Sequence, residues 1–202
     1  MNFWPEISLV LVAYLVGSIP FGYILTKKFT GKSILGLGSG NIGSTNVGRI
    51  AGKKIAALTQ LLDMLKGFLP VALVYLLQVM NIFHFEEIYI YIIAFATILG
   101  HDFSVFLKFR GGKGVNTTLG ASLLLAPFSV FISVFFYFVV KWKYKTVSLG
   151  SIVLSIVLPV SDLLVNKITF QFYYLSACAV LIVILHIPNI KRLLNGNENR
   201  VQ

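Results

Sequence analysis

Five long apolar stretches alternate with short polar segments along the chain. They cover about residues 7–26, 55–79, 88–107, 147–164 and 169–185, and each contains few charges. A helix needs ~20 mostly apolar residues to cross a bilayer, whereas the strands of a membrane barrel alternate over ~10 residues. The pattern therefore predicts helices that span a membrane. Pro20 and Gly22 in the first stretch indicate a kink or a close helix contact there.

A further apolar stretch, residues 115–140, decides the topology because it has no charge and holds Pro127 near its middle. Read as one helix, it would place the basic residues at 141–145 outside the membrane. Read as two short helices hinged at Pro127, it returns them to the cytoplasm. We adopt the hinged pair, which predicts an all-α polytopic protein of seven membrane-spanning helical segments, folded as a single domain over residues 1–202.

The charge distribution orients these segments. The chain has 17 Lys and Arg against 7 Asp and Glu, a net charge of +10. Such an excess would suggest nucleic acid for a soluble protein, but in a membrane protein it is typical of cytoplasmic loops. With seven segments the N-terminus lies outside, the C-terminus is cytoplasmic, and most basic residues face the cytoplasm. These are Lys27, Lys28, Lys32, Arg49, Lys53, Lys54, Lys108, Arg110, Lys113, Lys141, Lys143, Lys145, Lys191, Arg192 and Arg200.

A glycine-rich segment, residues 38–49, forms the first candidate site, in a polar loop predicted over 27–54. Small residues let backbone N–H groups approach an anion, and hydroxyl and amide side chains add hydrogen bonds. Arg49 can hold a phosphate through two parallel hydrogen bonds. The alternative is a flexible loop with an ordinary basic residue, which would not require polar side chains so closely spaced. The candidate ligands are Ser39, Asn41, Ser44, Thr45, Asn46 and Arg49.

A second glycine-rich segment precedes the apolar stretch that begins at residue 115. A glycine turn feeding a helix N-terminus presents free N–H groups and the positive end of the helix dipole to an anion. The spacing does not fit the pattern G-x-x-x-x-G-K-[ST], which argues against ATP hydrolysis but not against a phosphate-bearing ligand. The alternative is a simple loop-to-helix turn. The candidate ligands are Gly111, Gly112, Lys113, Gly114 and Asn116.

Ionisable residues elsewhere divide between site and structure. His186 lies where the last span meets the cytoplasm, and it is either a general base or phosphate ligand, or an ordinary interfacial residue. Asp63 and Lys66 are three residues apart in the second span, so they share a helical face and can pair, with Lys66 expected nearer a ligand. Asp102 follows His101, but adjacent helical residues point about 100° apart, so we expect an interfacial Asp102 rather than a catalytic dyad.

The ordered motifs resemble the PlsY family, the bacterial acyl-phosphate:glycerol-3-phosphate acyltransferases. The similarity covers nearly the whole chain. It departs at Ser104, where the family often has Pro, at Ile187, where Arg is common, and at Ser44, where Ala is common. The motifs are Gly17-Ser-Ile-Pro-Phe-Gly22, Gly38-Ser-Gly-Asn-Ile-Gly43 with Thr45-Asn46-Val47 and Arg49, Asp63 with Leu65-Lys66-Gly67, Gly100-His101, Phe106-Leu-Lys-Phe109, Gly111-Gly-Lys-Gly-Val115, and His186 with Asn189-Ile190, Arg192-Leu193, Gly196 and Glu198.

The resemblance implies that acyl phosphate and glycerol 3-phosphate give 1-acyl-glycerol 3-phosphate (lysophosphatidic acid) and phosphate, the first acylation of phospholipid synthesis. It implies a bacterial cytoplasmic-membrane enzyme whose site faces the cytoplasm. It also implies no cofactor, metal, acyl-CoA, acyl carrier protein or nucleic acid, so that the two substrates and membrane lipid are the partners. The widely separated histidines and the single cysteine likewise predict no metal site.

The resemblance also implies roles for individual residues. The first motif, with Ser39 and Arg49, is similar to the family's glycerol 3-phosphate site, and the Gly-Gly-Lys-Gly loop is similar to its acyl-phosphate site. A third motif, from His186 to Glu198, contains His186 and Asn189, which match residues that contribute to activity, and Glu198, which matches one that supports structure. We therefore expect catalytic roles for five residues: Ser39, Arg49, Lys113, His186 and Asn189.

A mechanism follows from these assignments. We expect Arg49, Ser39 and Asn46 to grip glycerol 3-phosphate, while Lys113 and the loop amides hold the acyl phosphate. Ser151, at the cytoplasmic start of a span, adds a hydrogen bond. Acyl phosphate is already activated, so no covalent enzyme intermediate is required, and binding geometry supplies much of the rate. The base stays open between the histidine of the third motif and a phosphate oxygen of the donor, with the donor phosphate slightly favoured.

Two other classes of protein compete with the enzyme. A transporter or channel for organic phosphates would use the hinged pair as a broken-helix site, but it predicts polar residues along a path through both leaflets. Here the polar residues gather at one membrane face. A structural membrane adaptor would not need the glycine-rich segments.

Overall fold

A computed structural model describes residues 4–199, and within them no β-strand is present. Two short 3-10 helices, Ile34–Gly36 and Val105–Leu107, accompany the α-helices. The α-helices are α1 (Trp4–Ser18), α2 (Phe21–Thr30), α3 (Ser44–Ala51), α4 (Lys53–Val79), α5 (Glu87–Asp102), α6 (Val115–Ser122), α7 (Pro127–Tyr144), α8 (Val147–Asn166), α9 (Phe170–Leu185) and α10 (Ile187–Leu194). The all-α prediction is confirmed.

Four helical stretches of the described chain are long and apolar enough to cross a membrane: Glu6–Thr30, Lys53–Val79, Glu87–Leu107 and Val147–Asn166. The pair α9 and α10, bent by 57°, would make a fifth. The seven spanning segments and the orientation of the termini stay predictions. Arg200, which the sequence counts among the cytoplasmic charges, lies outside the described residues.

The first apolar stretch bends at Pro20, which separates α1 from α2. Proline has no N–H to donate, and it disfavours helical geometry in the residue before it, so the helix cannot run straight through. Two carbonyl groups at the break find side-chain donors. Lys66 Nζ donates to Ile19 O at 2.8 Å, and the Ser104 hydroxyl donates to Ser18 O at 2.5 Å. The kink that the sequence predicts is confirmed.

The chain forms two compact units, the first ending at Leu124 and the second beginning at Leu125. In the first unit, glycines bring helices together. A methyl group at Gly17 would lie 2.0 Å from Thr97 O, and one at Gly100 would lie 2.1 Å from Tyr14 O, so α1 and α5 touch through backbone. Such small residues allow the close helix packing that membrane proteins use in place of hydrophobic burial. The single domain expected from the sequence stays a prediction.

The prediction of a polar loop over residues 27–54 is wrong for its second half, which contains the helix α3. α3 begins after Gly43, whose extended backbone forms the N-cap. Val47 of α3 is fully buried with Ile34 and Ile42, so a small apolar cluster holds the helix. Only three buried side chains form the centre of this cluster, which is why the composition of the segment is typical of a loop.

The apolar stretch around Pro127 is broken as predicted. α6 ends at Ser122 and α7 begins at Pro127, which occupies the first turn, where a proline costs a helix nothing. α6 belongs to the first unit and packs against α4, where a methyl group at Gly120 would lie 1.9 Å from Met64 O.

The second unit contains α7 to α10. α8 packs against α7 and α9, and a methyl group at Gly150 of α8 would lie 2.9 Å from the Tyr137 ring of α7. At the opposite end of α8, Asp162 is fully buried and accepts a hydrogen bond from Asn166 at 2.9 Å and another from Gln171 of α9. These bonds tie the α8–α9 connection together.

Candidate functional site

Asn46 organises the first glycine-rich segment from inside. Its side chain is buried, its Oδ1 accepts from the backbone N–H of Ser39 at 3.0 Å, and its Nδ2 donates to Leu37 O at 3.0 Å and to Asn41 O at 2.9 Å. A methyl group at Gly38 would lie 2.2 Å from Asn46 Oδ1, so the turn wraps closely around this amide. The amide therefore determines the path of residues 37–41.

Two hydrogen bonds join the two glycine-rich segments. Asn41 Nδ2 donates to Gly111 O at 3.4 Å, while its Oδ1 accepts from Gly43 N–H at 2.8 Å. Asn116 Nδ2 donates to Ser44 Oγ at 3.2 Å, a bond that an alanine at position 44 could not accept. The segments lie about 70 residues apart in the chain, yet they form one surface at the same end of the first unit.

The second segment rests on the last turn of α5. The Gly112 N–H donates to His101 O at 3.0 Å, and a methyl group at Gly111 would lie 2.2 Å from the same oxygen. Gly114 has φ +73°, a left-handed conformation that glycine adopts without strain, and it leads directly into α6. The first N–H groups of α6 therefore sit at the segment's end, as an anion-binding helix start requires.

A buried ion pair lies in α4. Lys66 Nζ is 2.9 Å from Asp63 Oδ1, with both side chains 2% exposed, so the two pair as the sequence predicts. Lys66 also donates to the carbonyl of Ile19 at the α1–α2 break. Pairing and hydrogen bonding offset the cost of burying these charges. That Lys66 lies nearer a ligand stays a prediction.

Asp102 differs from its predicted interfacial position. Its side chain is buried, and its two oxygens have no hydrogen-bond donor among the described residues. A methyl group at Gly114 would lie 2.9 Å from Asp102 Oδ2, so the carboxyl group lies beneath the start of α6. The sequence misplaces it because a charge at the end of an apolar stretch usually reaches water.

The predicted ligands of the first unit differ in exposure. Ser39, Thr45 and Arg49 are exposed, whereas Lys113 is half-buried between two buried glycines. Asn41, Ser44 and Asn116 are half-buried in the hydrogen bonds between the segments. The exposed side chains can meet a ligand arriving from solvent, while the half-buried ones shape the surface it meets.

The third motif lies in the second unit, where Glu198 holds it together. Asn189 Nδ2 donates to Glu198 Oε1 at 2.7 Å, and Arg192 Nε donates to Glu198 Oε2 at 2.7 Å. Burial raises the pKa of Glu198, but the hydrogen bonds from Asn189 and Arg192 and the charge of Arg192 outweigh it, so the pKa lies below its usual value. Glu198 is therefore ionised and fixes the side chain of Asn189.

His186 lies in the same motif, between α9 and α10. It is 4% exposed, and its Nδ1 lies 2.8 Å from Ile182 O. A ring nitrogen facing a carbonyl must carry hydrogen, so the neutral ring has Nε2 as its acceptor. Ser151, in the first turns of α8, is also buried.

Two residues of the first unit's polar interior were not singled out from the sequence. Ser104 stands where the resembling family often has proline, and its hydroxyl satisfies a carbonyl at the Pro20 break. His101 belongs to the Gly100-His101 motif and was weighed as half of a dyad with Asp102, but no role for it follows from the sequence. Among residues 4–199, no group of three or more His, Cys, Asp or Glu side chains is placed to hold a metal ion.

The fold and these loops define a helical integral-membrane protein with two glycine-rich segments joined by hydrogen bonds. The family model for glycerol-3-phosphate acyltransferase matches residues 7–196. The chain therefore belongs to the glycerol-3-phosphate acyltransferase family, as an integral-membrane member of the PlsY type.

Individual proteins support this assignment. A glycerol-3-phosphate acyltransferase of Clostridium acetobutylicum is 45% identical over 191 residues, covering 94% of this chain and 96% of that protein. Among solved structures, PlsY (YgiH) in its glycerol 3-phosphate form superposes with a TM-score of 0.89 at 35% identity, covering 98% of this chain and 96% of that one. PlsY in its lysophosphatidic acid form gives a TM-score of 0.86 at 34% identity, with the same coverage.

Proposed function

We propose that this acyltransferase takes its acyl group from acyl phosphate. A hydroxyl oxygen of glycerol 3-phosphate attacks the acyl carbonyl carbon, and the bond from that carbon to the phosphate oxygen breaks. The products are 1-acyl-glycerol 3-phosphate and inorganic phosphate, with the hydroxyl proton ending on the departing phosphate. Two phosphate groups that repel each other must therefore be held together while the reaction proceeds.

The hydrogen bonds between the two glycine-rich segments carry this proposal. Asn41 contacts Gly111, and Asn116 contacts Ser44, so the segment bearing Arg49 and the segment bearing Lys113 share one surface. A pair of adjacent cationic, amide-rich loops is what two neighbouring phosphates need, because each loop can neutralise one of them.

The first segment binds glycerol 3-phosphate. Arg49 and Ser39 are exposed and supply charge and a hydroxyl, with Thr45 beside them at the start of α3. Asn46 acts differently, because both ends of its amide are engaged in shaping residues 37–41. It supports the binding surface from below.

The second segment binds the phosphate of the donor. The amides of Gly111, Gly112 and Gly114 and the first turn of α6 offer N–H groups, and Lys113 offers a charge. Such groups stabilise the charge that develops on oxygen during acyl transfer and on the departing phosphate. The acyl tail extends into lipid between helices.

Orienting roles for His186 and Asn189 of the third motif are supported by the family resemblance. Glu198 fixes Asn189, and the Ile182 carbonyl fixes the ring of His186, so both side chains are pre-organised. Ser151 adds a further hydroxyl. The proton acceptor is a phosphate oxygen of the donor, since the departing phosphate gains basicity as the bond to carbon breaks.

The enzyme works at the cytoplasmic face of the bacterial inner membrane, with seven spanning segments and an external N-terminus. Single cysteines in a Cys178→Ser background, at position 83 in the α4–α5 connection and at position 143 near the end of α7, test this. A membrane-impermeant maleimide should label the first in intact spheroplasts and the second only after lysis. The reverse pattern would overturn the orientation.

The reaction is tested with purified protein in detergent and radiolabelled glycerol 3-phosphate. Palmitoyl phosphate should give labelled lysophosphatidic acid and one equivalent of phosphate, whereas palmitoyl-CoA and palmitoyl-acyl carrier protein should give none. Product from either thioester alone would refute the proposed donor. A transporter would give no product in the absence of a vesicle.

A further inference from the structure

His101 is a buried histidine in the last turn of α5, outside the two glycine-rich segments and the third motif. Its side chain is 4% exposed, and its Nδ1 lies 3.6 Å from Asp63 Oδ1, longer than a hydrogen bond. Asp63 pairs with Lys66, which reaches the Ile19 carbonyl. One edge of the ring therefore faces the Asp63 carboxylate, which is held in place by its ion pair with Lys66.

The opposite edge of the ring meets the second glycine-rich segment. A methyl group at Gly112 would lie 1.9 Å from His101 Nε2, 2.6 Å from Cε1 and 2.8 Å from Cδ2. No side chain fits there, so the ring edge touches the backbone of Gly112 itself. The Gly112 N–H also donates to the carbonyl of His101, which holds the same residue from the main chain.

The neighbouring glycines make the same contact with the end of α5. Gly111 rests on the carbonyls of His101 and Asp102, and Gly114 rests on the Asp102 carboxyl group. The glycines on either side of Lys113 thus all contact His101 or Asp102. A displacement of the ring must displace Gly112, and with it the adjacent Lys113.

We propose that His101 is a positioning residue, whose ring sets the place of the Gly111–Gly114 segment relative to the buried Asp63–Lys66 pair. The inference rests on the proposed function in one respect: the segment so positioned is the one that binds the donor phosphate. A displacement of about 1 Å at a reacting group can cost ~10²-fold in rate, so the contact has catalytic consequences although His101 touches no substrate.

The test uses a double-mutant cycle between His101 and Gly112. His101→Asn keeps a nitrogen near the place of Nδ1, facing Asp63, but it removes the ring edge against Gly112. Gly112→Ala introduces the methyl group that the ring excludes. We expect Gly112→Ala to lower kcat/KM for acyl phosphate about 100-fold, and His101→Asn to lower it about tenfold. The double variant should be at least about tenfold more active than Gly112→Ala alone, because the methyl group then has room.

Gly120→Ala is the matched control. Its methyl group would meet the backbone of Met64 in α4, which His101→Asn cannot relieve, so those two losses should multiply. If the losses of His101→Asn and Gly112→Ala also multiply, the ring does not position the segment and the proposal is refuted. The wild-type reaction with acyl phosphate, measured beside them, tests the proposed function separately.

A second measurement distinguishes positioning from general stability. His101→Asn should raise the KM for acyl phosphate and the inhibition constant of inorganic phosphate, while the KM for glycerol 3-phosphate stays within about twofold of the wild type. A purely structural residue would lower the active fraction and leave both KM values alone, which would overturn the proposal. If Gly112→Ala does not fold, the comparison of KM values between His101→Asn and the wild type is sufficient to test the proposal.

Discussion

Asn116 donates a hydrogen bond from its side-chain amide to the hydroxyl of Ser44, over 3.2 Å and 72 residues of chain. The donor lies in the first turn of α6 and the acceptor begins α3, so two helix starts lie close together. Helix N-termini carry partial positive charge and repel one another. An anion placed near both would relieve that repulsion, which suits a site for phosphorylated substrates.

Replacing Lys113 with alanine should lower kcat/KM about 100-fold or more, because the donor phosphate loses a cation where charge develops. The measurement is release of phosphate from palmitoyl phosphate at saturating glycerol 3-phosphate. Lys108→Ala, which removes the same charge from an exposed position five residues earlier, should stay within about threefold of the wild type. Near-normal activity of Lys113→Ala would remove this lysine from the site.

Arg49→Ala should act mainly on glycerol 3-phosphate. A charge-assisted hydrogen bond contributes ~1.5–3 kcal/mol, so we expect the KM for this substrate to rise about tenfold or more, with a smaller change for acyl phosphate. Steady-state kinetics with each substrate varied in turn separate the two. Lys53→Ala, an exposed cation in the first turn of α4, serves as control. An equal rise in both KM values would count against the assignment.

His186→Ala distinguishes the two candidate bases. General base catalysis contributes ~10²–10⁴-fold, so loss of the true base would nearly abolish turnover. With the donor phosphate as base, we expect kcat to fall less than about 100-fold and its pH profile to keep its shape. If turnover disappears while isothermal titration still shows binding of glycerol 3-phosphate, His186 is the base.

Asn46→Ala should destabilise the first segment, because three partly buried backbone groups lose their partner. Leaving buried polar groups unsatisfied costs ~1–3 kcal/mol, and we expect a lower melting temperature together with weaker glycerol 3-phosphate binding. Asn195→Ala, which removes an exposed amide after α10, should change neither. Unchanged stability of Asn46→Ala would show that the segment keeps its shape without this amide.

Glu198→Gln tests the link to Asn189 and Arg192 through its pH dependence. The pKa of Glu198 is lowered in the folded protein, so its ionised form stabilises the fold at pH values above the unfolded pKa of about 4.3. That stability is lost as the pH falls through the lower, folded pKa. Thermal melts followed by circular dichroism should show the variant less stable at pH 7, with the difference shrinking below about pH 4. A difference that is constant with pH would exclude the ionised interaction.

Helix boundaries in the apolar stretches followed closely from the sequence. The second span was expected over 55–79, and α4 covers Lys53–Val79. The kink at Pro20 and the break before Pro127 were predicted because proline acts locally, through its ring and its missing N–H. These features depend on neighbouring residues alone.

Features that depend on distant residues could not be predicted in the same way. Asn46 lies in a polar, glycine-rich segment. Its neighbours in the sequence do not indicate whether its side chain binds a ligand or makes hydrogen bonds within the segment. Asp102 lies near the end of an apolar stretch, a position typical of an interfacial residue. In the fold, the segment that contains Gly114 covers its carboxyl group. α3 depends on contacts among Ile34, Ile42 and Val47. These residues are not regularly spaced in the sequence, so no hydrophobic periodicity predicts the contacts.

The bend at Pro20 also constrains how the polypeptide assembles during synthesis. The carbonyl of Ser18 enters the bilayer with the nascent N-terminal helix, but its donor, Ser104, is translated 86 residues later. An unsatisfied carbonyl in hydrocarbon costs several kcal/mol. The earliest element to insert is consequently among the last to reach its mature shape, once the ribosome has delivered Ser104.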